Sequence, residues 1–241
     1  MTLSIDWFGE AETIAATDPG WSKWKPSDPT SPHWYQPEHL ERLIAAYLAH
    51  DQDNDRTRTV REFISEFRGL SGTAKQKKVL EATGLGREPL SVLVHDGALD
   101  SDRVEGLLVA MQAHSKPVKP PILGVIGKEH FKQRFEAAGC EMDSFQYKKV
   151  VDTTDGVPWV VETAFGWCPD GDDNRRLITG VNWSPGIINP FRELGRFGQS
   201  LDTILSQQRA DQDEPVILVL HMACPRAEYL DRGKSSVVIE S

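Results

Sequence analysis

Apolar positions recur at helical spacing through the first half of the chain and at strand spacing through the second. Leu40, Leu43, Ile44, Tyr47 and Leu48 lie three and four residues apart, so residues 38–50 read as an amphipathic helix with Pro37 near its first turn. Asp51 to Thr57 is a polar break. Val60, Phe63, Ile64 and Phe67 share one face of a second helix over 58–68. Gly69-Leu70-Ser71-Gly72-Thr73 interrupts the pattern. A third helix then runs from about Ala74 to Thr83 and stops at Gly84. A fourth spans Ser101 to Ala113, with Asp100 or Ser101 as N-cap and Val104, Leu107, Leu108 and Met111 as its buried stripe.

Pro117, Pro120 and Pro121 mark a boundary within Lys116–Gly127, since none fits a helix interior or a central strand. After a short helix near 128–138 the period changes to two. Gln146–Val151, Val157–Phe165, Arg175–Val181 and Val216–His221 are predicted strands, the last a nearly continuous apolar run suited to a buried strand. A long helix from about Phe191 to Gln208 is predicted between the third and fourth. At the other end, residues 2–8 alternate like a strand, but no partner strand is evident nearby, and Asp18–Pro37 reads as a linker. The expected class is therefore α+β: an all-helical part, then a mixed sheet packed by helices. The expected divisions are 1–35, a lone strand and linker; 36–115, helical; 116–140, a Pro-rich connector and short helix; and 141–241, the sheet.

Composition changes this picture little: 241 residues with 39% apolar and 26% charged side chains suit one large or two modest folded domains. No apolar run approaches the ~20 residues of a membrane-spanning helix, and the first residues lack the basic flank and cleavage site of a secretion signal. Cys140, Cys168 and Cys224 are odd in number and far apart in sequence. They match neither a disulfide framework nor a metal pair, so a reducing, cytoplasmic setting is expected.

Charge is uneven. The net charge is −9, yet residues 58–140 carry 13 basic against 10 acidic side chains, while the flanking segments are acidic. Overall acidity argues against nonspecific coating of nucleic acid but not against a local basic face. Two clusters supply candidates: Arg58, Arg61, Arg68, Lys75, Lys77 and Lys78, then Lys116, Lys119, Lys128, Lys132 and Arg134. The alternative is a pair of solvated helix faces. Between the second and third helices, the Gly69–Gly72 turn can aim backbone N–H groups and a helix start at a phosphate; packing-only glycines are the rival reading.

Enzymatic motifs are sparse. Gly233-Lys234-Ser235 looks like the tail of a P-loop, but Glu228 stands where a glycine is required and only seven residues follow Lys234. GxSxG, HExxH and GxGxxG patterns are absent. His221, at the end of a predicted buried strand, is expected to be a hydrogen-bonded core or rim residue. The paired acids Asp172-Asp173 and Asp211/Asp213 are expected to be solvated, and no self-contained catalytic or metal site is predicted.

Phe67-Arg68-Gly69-Leu70-Ser71-Gly72-Thr73-Ala74-Lys75 through Ala82-Thr83-Gly84-Leu85 resembles the helix-two-turn-helix module. Gly156-Val157-Pro158-Trp159-Val160-Val161-Glu162-Thr163-Ala164-Phe165-Gly166 resembles the strand that opens the transducer domain of topoisomerase VI B subunits. Leu123-Gly124-Val125-Ile126-Gly127-Lys128-Glu129 is similar to the stretch just ahead of that domain. Pro215–His221, continued by Glu228–Lys234, is similar to the family's switch-lysine strand and loop. Together these cover roughly residues 36–240 in the family's order.

The resemblance implies a helix-two-turn-helix domain and a transducer from an ATP-dependent DNA topoisomerase subunit, which couples ATP binding in a GHKL domain to strand passage. It implies Lys234 as the ATP γ-phosphate switch, and Arg68, Gly69, Gly72, Lys75, Lys77 and Lys78 as DNA-contacting candidates. Its partners would be DNA, a GHKL domain in cis or trans, and a DNA-cleaving A-type subunit. The GHKL motifs cannot fit in the first 35 residues, and the family's tryptophan-lysine motif has no clear counterpart. ATP and Mg are therefore expected only with a complete GHKL domain, and the chain alone should neither hydrolyse ATP nor cut DNA. A DNA- or RNA-binding adaptor without enzymatic activity is the alternative implied by the helical module alone.

Overall fold

The computed structural model describes residues 3–7, 9–16, 18–169, 174–185, 188–192, 199–230 and 236–238. The chain divides into two compact units. One comprises residues 25–119 with 154–157, and the other residues 1–24, 120–153 and 158–241. It is a mixed α+β chain, as the patterning predicts.

The first strand does have a partner. β1 (Leu3–Trp7) turns through Gly9, at φ +87°, into β2 (Glu10–Ile14), forming a two-stranded antiparallel hairpin. This corrects the expectation of an unpaired strand. The polar run Glu10-Ala11-Glu12-Thr13 hid β2, because neither side of it is strongly apolar.

In the helical unit, α1 (Pro37–Asp53) runs three residues beyond the predicted end, through Asp51–Asp53. It buries Leu40 and Ile44 completely. α2 (Val60–Ser65) is shorter than the periodicity suggests because a capping box fixes its start. Thr59 Oγ1 accepts the Glu62 N–H at 3.1 Å, and Glu62 returns a carboxylate oxygen to the Thr59 N–H at 2.7 Å. α3 (Thr73–Thr83) ends at Gly84 in the left-handed region, φ +67°, where the Leu85 N–H reaches back to the Leu80 carbonyl. A short ladder of β3 (Val94–His95) with β4 (Ala98–Leu99) leads into α4 (Ser101–Ala113), whose N-cap Asp100 accepts the Arg103 N–H. The apolar faces of α1–α4 meet in one core built on Leu40, Ile44, Phe63, Val79, Leu107 and Met111.

The second unit holds a five-stranded sheet. After α5 (Lys128–Ala137) come β5 (Gln146–Thr154), β6 (Val157–Trp167), β7 (Arg176–Val181), β8 (Ser184–Pro185), α6 (Leu201–Gln207) and β9 (Val216–Ala223), in the spatial order β5-β6-β9-β7-β8. β9 lies at the centre, antiparallel to β6 and parallel to β7. That place explains its apolar sequence, broken only by His221, since both of its faces are covered. β6 alternates buried and half-buried residues along its length. On one sheet face Phe131 and Phe135 of α5 pack over Ala164, Ile217 and Val219. Gly166 makes that approach possible, since a Cβ there would stand 2.6 Å from the Phe135 ring. On the other face Leu201 and Leu205 of α6 pack with Phe191, Leu220 and Met222. Of the long helix predicted from Phe191 to Gln208, the described residues show only α6, capped by Ser200.

Cys140 and Cys168 are joined in a disulfide across 28 residues. This overturns the expectation of unpaired thiols and removes its support for a reducing compartment. Distance along the chain was misleading, because the turn after α5 lands beside the end of β6. No helix among the described residues is long and apolar enough to cross a membrane.

Candidate functional site

The Gly69–Gly72 turn is built from its buried ends outward. Phe67 and Leu70 are sunk in the helical core and anchor it. Gly69 takes φ +80°, which an L side chain rarely adopts, and so turns the chain between them. Side chains from α3 then collect the turn's carbonyl groups. Lys75 Nζ donates to the Gly69 carbonyl at 2.9 Å. Gln76 Nε2 donates to the Leu70 and Ser71 carbonyls at 2.9 and 3.0 Å. Gln76 is itself buried, and Arg61 Nε holds its amide oxygen at 3.0 Å.

Gln76 takes the Leu70 and Ser71 carbonyls from the buried side and Lys75 takes the Gly69 carbonyl at the surface; the donors remain. Ser71, Gly72, Thr73 and Ala74 are exposed, and Gly72 caps α3 without a side-chain acceptor. The first N–H groups of an α-helix have no intrahelical partner and carry partial positive charge. Arg68, Gly69, Gly72, Lys75, Lys77 and Lys78 are all exposed within this one turn and the first half of α3. Their contributions differ: Lys75 is committed to the Gly69 carbonyl, and Lys77 lies 3.6 Å from Glu81 in an exposed pair.

Arg58 is corrected out of the basic face. It is only 6% exposed, and its guanidinium grips Asp51 at 2.8 and 3.3 Å and also pairs with Glu66. It lies over the Tyr47 ring at 4.2 Å. The Arg58 hydrogen bonds hold the Asp51 carboxyl below its ordinary range, against burial. Burial, reinforced by the Glu66 carboxylate, pushes the Tyr47 hydroxyl up to about 12. The second basic cluster is split: Lys116 and Lys119 belong to the helical unit, while Lys128, Lys132 and Arg134 ride on α5 of the other.

In the sheet unit the polar centre is Glu162, fully buried on β6. Its Oε2 accepts the Ile126 N–H and its Oε1 the Gly127 N–H, both at 2.8 Å. Tyr147 donates its hydroxyl to Oε1 at 2.8 Å, and His221 Nδ1 stands 3.3 Å from Oε2. Burial pushes the Glu162 carboxyl up, but the bonds from His221, Ile126, Gly127 and Tyr147 outweigh it and hold the group below its ordinary value. Burial, with the same contact second to it, raises the Tyr147 hydroxyl. Trp183 packs against His221 with ring centres 4.5 Å apart and the rings tilted by 47°. His221 thus has the buried place expected of it and a hydrogen-bond contact through Nδ1, but its Nε2 is buried without a partner among the described residues. Glu162 enters the sequence reading only within the Gly156–Gly166 stretch. Its signal was present nonetheless: a carboxylate in the buried phase of an alternating strand, in line with Val160 and Ala164.

Lys234, with Gly233 and Ser235, lies outside the described residues. The described ends of that segment pair with each other: the Leu230 N–H meets the Ser236 carbonyl, and the Val238 N–H meets the Glu228 carbonyl, both at 2.9 Å. Among the described residues no group of three or more His, Cys, Asp or Glu side chains could hold a metal ion.

No family model and no curated protein matches the sequence. Among solved structures, the B subunit of DNA gyrase from Myxococcus xanthus overlaps 46% of this chain at 15% identity and a TM-score of 0.31. The overlap spans 33% of that gyrase chain, a likeness too slight to carry an argument.

Proposed function

We propose that this chain is the DNA-contacting and relay portion of a topoisomerase VI B-like ATPase. In this reading the Gly69–Lys78 turn and helix grip duplex phosphates. The sheet unit acts as a transducer, and Lys234 senses the γ-phosphate of ATP held with Mg by a GHKL domain in cis or trans. A DNA-cleaving A-type subunit completes the assembly. The observation that carries the DNA-binding part is that Gln76 from beneath and Lys75 at the surface occupy the turn's carbonyls, which leaves the exposed N–H donors at the start of α3 on the same segment as Arg68 and Lys78. The reading of the sheet unit rests on the order of the resembling stretches.

The test is duplex binding, followed by fluorescence anisotropy as salt is raised. Each neutralised phosphate contributes a log–log slope of about −0.9, so three contacts would weaken binding roughly fortyfold between 50 and 200 mM salt. A joint Arg68→Glu and Lys78→Glu change should flatten that slope. Binding indifferent both to salt and to these charges would remove the DNA-contacting role. ATP-dependent association with a GHKL partner separates the topoisomerase-like reading from a simple nucleic-acid adaptor, which would bind DNA without it.

A further inference from the structure

β5 ends the five-stranded sheet, and from Lys148 to Thr154 every residue on it is exposed. Val150 and Val151 are 42% and 48% exposed, unusual for β-branched side chains in the middle of a strand. Asp155 and Gly156, both at positive φ, make the two-residue turn that joins β5 to β6. In such a hairpin, alternate residues direct their backbone groups toward the paired strand, and the others direct them away.

Two contacts set the phase. The Lys148 carbonyl lies on the β6 side, where Thr163 Oγ1 reaches it at 3.5 Å. The Thr153 N–H lies on the open side, where the carboxylate of Asp152 caps it at 2.7 Å. Lys149, Val151 and Thr153 therefore point their backbone groups outward, and among the described residues no strand pairs there. Tyr147 reaches Glu162, which places the odd-numbered residues on the α5 face. Lys148, Val150 and Asp152 share the opposite face.

We propose that β5 is a self-association edge, on which a second copy of this chain pairs its own β5 antiparallel across a two-fold axis at Val150. The sequence Lys148-Lys149-Val150-Val151-Asp152 favours this register over its neighbours. Val150 meets Val150, Lys148 of each copy stands opposite Asp152 of the other, and Lys149 and Val151 exchange the outward N–H and carbonyl groups. The two faces of the sheet continue unbroken into the second copy. Moving the axis to Lys149 sets two lysines against each other, and moving it to Val151 sets Asp152 against Val150. A shift by one residue in the pairing flips every side chain to the wrong face. Lysines on an exposed edge ordinarily discourage pairing; here the two-fold neutralises one of them with Asp152.

Sedimentation equilibrium of the full chain, from low micromolar to millimolar concentration, tests this. The parent chain should form a dimer whose fraction rises with concentration. Lys148→Asp and Asp152→Lys, which place like charges opposite each other, should each weaken association about tenfold. The double exchange should restore it, because Lys148 and Asp152 are too far apart along one strand to pair within a single copy. Val151→Pro removes an outward N–H without touching the ladder to β6 and should leave a monomer whose circular dichroism matches the parent's. A parent that stays monomeric at millimolar concentration, single variants that associate as tightly as the parent, or a double exchange that fails to recover would each overturn the proposal.

Discussion

Glu162 and Gly127 lie 35 residues apart in sequence and are joined by a 2.8 Å hydrogen bond from the Gly127 N–H to the Glu162 carboxylate. Gly127 sits at φ +90°, a conformation open mainly to glycine, and it caps α5. A buried strand thereby fixes the start of a helix through a charge. Two of the sequence stretches that carry the topoisomerase-like resemblance are thus in direct contact, although no spacing rule connects them.

Removing that carboxylate should be costly. Glu162→Ala strips the acceptor from two backbone N–H groups, the Tyr147 hydroxyl and His221 at once, around a carboxylate that is itself fully buried. A loss of about 3–5 kcal/mol is expected, the range for breaking a buried charged network. Glu162→Gln retains one acceptor oxygen but turns an amide donor toward the other N–H groups, so it should recover only part. Urea denaturation followed by fluorescence gives the values, and an alanine variant within 1 kcal/mol of the parent would show that water replaces the carboxylate at little cost.

The same group gives stability a pH dependence of defined sign. The Glu162 carboxyl is held below its ordinary value in the folded chain. The unfolded chain therefore binds its proton first as acid is added, and folding loses stability. The contribution is complete above the ordinary glutamate value of about 4.3 and disappears as pH falls through the lower folded value. Between pH 5 and 3 the parent should lose stability more steeply than Glu162→Gln, by up to about 1.4 kcal/mol per pH unit. Parallel curves for the two proteins would assign the acid sensitivity to other carboxylates, such as Asp51 and Glu62, which hydrogen bonds also hold low.

The helical half was legible because each helix carries its own period and its own stop signals. Leu40, Ile44 and Met111 are buried where three- and four-residue spacing puts them, and Gly84 ends α3 as its position predicts. What the sequence could not display is pairing across long separations. Arg58 reads as one more basic residue until Asp51 and Glu66 close around it. Gln76 reads as an ordinary helix polar residue until its amide is found holding two carbonyls of the preceding turn. The Cys140–Cys168 bond was hidden for the same reason.

That disulfide predicts a thiol count. In denaturant without reductant, a thiol reagent should titrate one group, Cys224, and after reduction three. In the folded chain Cys224 should react slowly, because burial pushes its thiol up. By the loop-entropy model, a bridge closing 28 residues contributes roughly 3–4 kcal/mol, so reduction should lower the urea midpoint. Three thiols reacting without reductant would show that the bond does not form in solution.

Lys75 and Lys78 should separate when each is reversed to Glu, because the structure gives them different duties. Lys75 Nζ holds the Gly69 carbonyl, so Lys75→Glu sets a carboxylate against a carbonyl oxygen and loosens the turn. Stability should fall by up to about 1 kcal/mol, the scale of an exposed charged contact, and DNA affinity should fall with it. Lys78 is exposed on α3, so Lys78→Glu should leave the urea midpoint near the parent's. Its whole effect should appear in binding, as a slope against log salt reduced by about one and a loss shared equally by duplexes of unrelated sequence. Arg58→Lys offers a control for charge alone: it retains the positive charge in a buried pair, so any loss there should be of stability and not of salt slope. If Lys78→Glu binds duplex as the parent does while Lys75→Glu lowers stability alone, the turn is a packing device and α3 presents an ordinary solvated face.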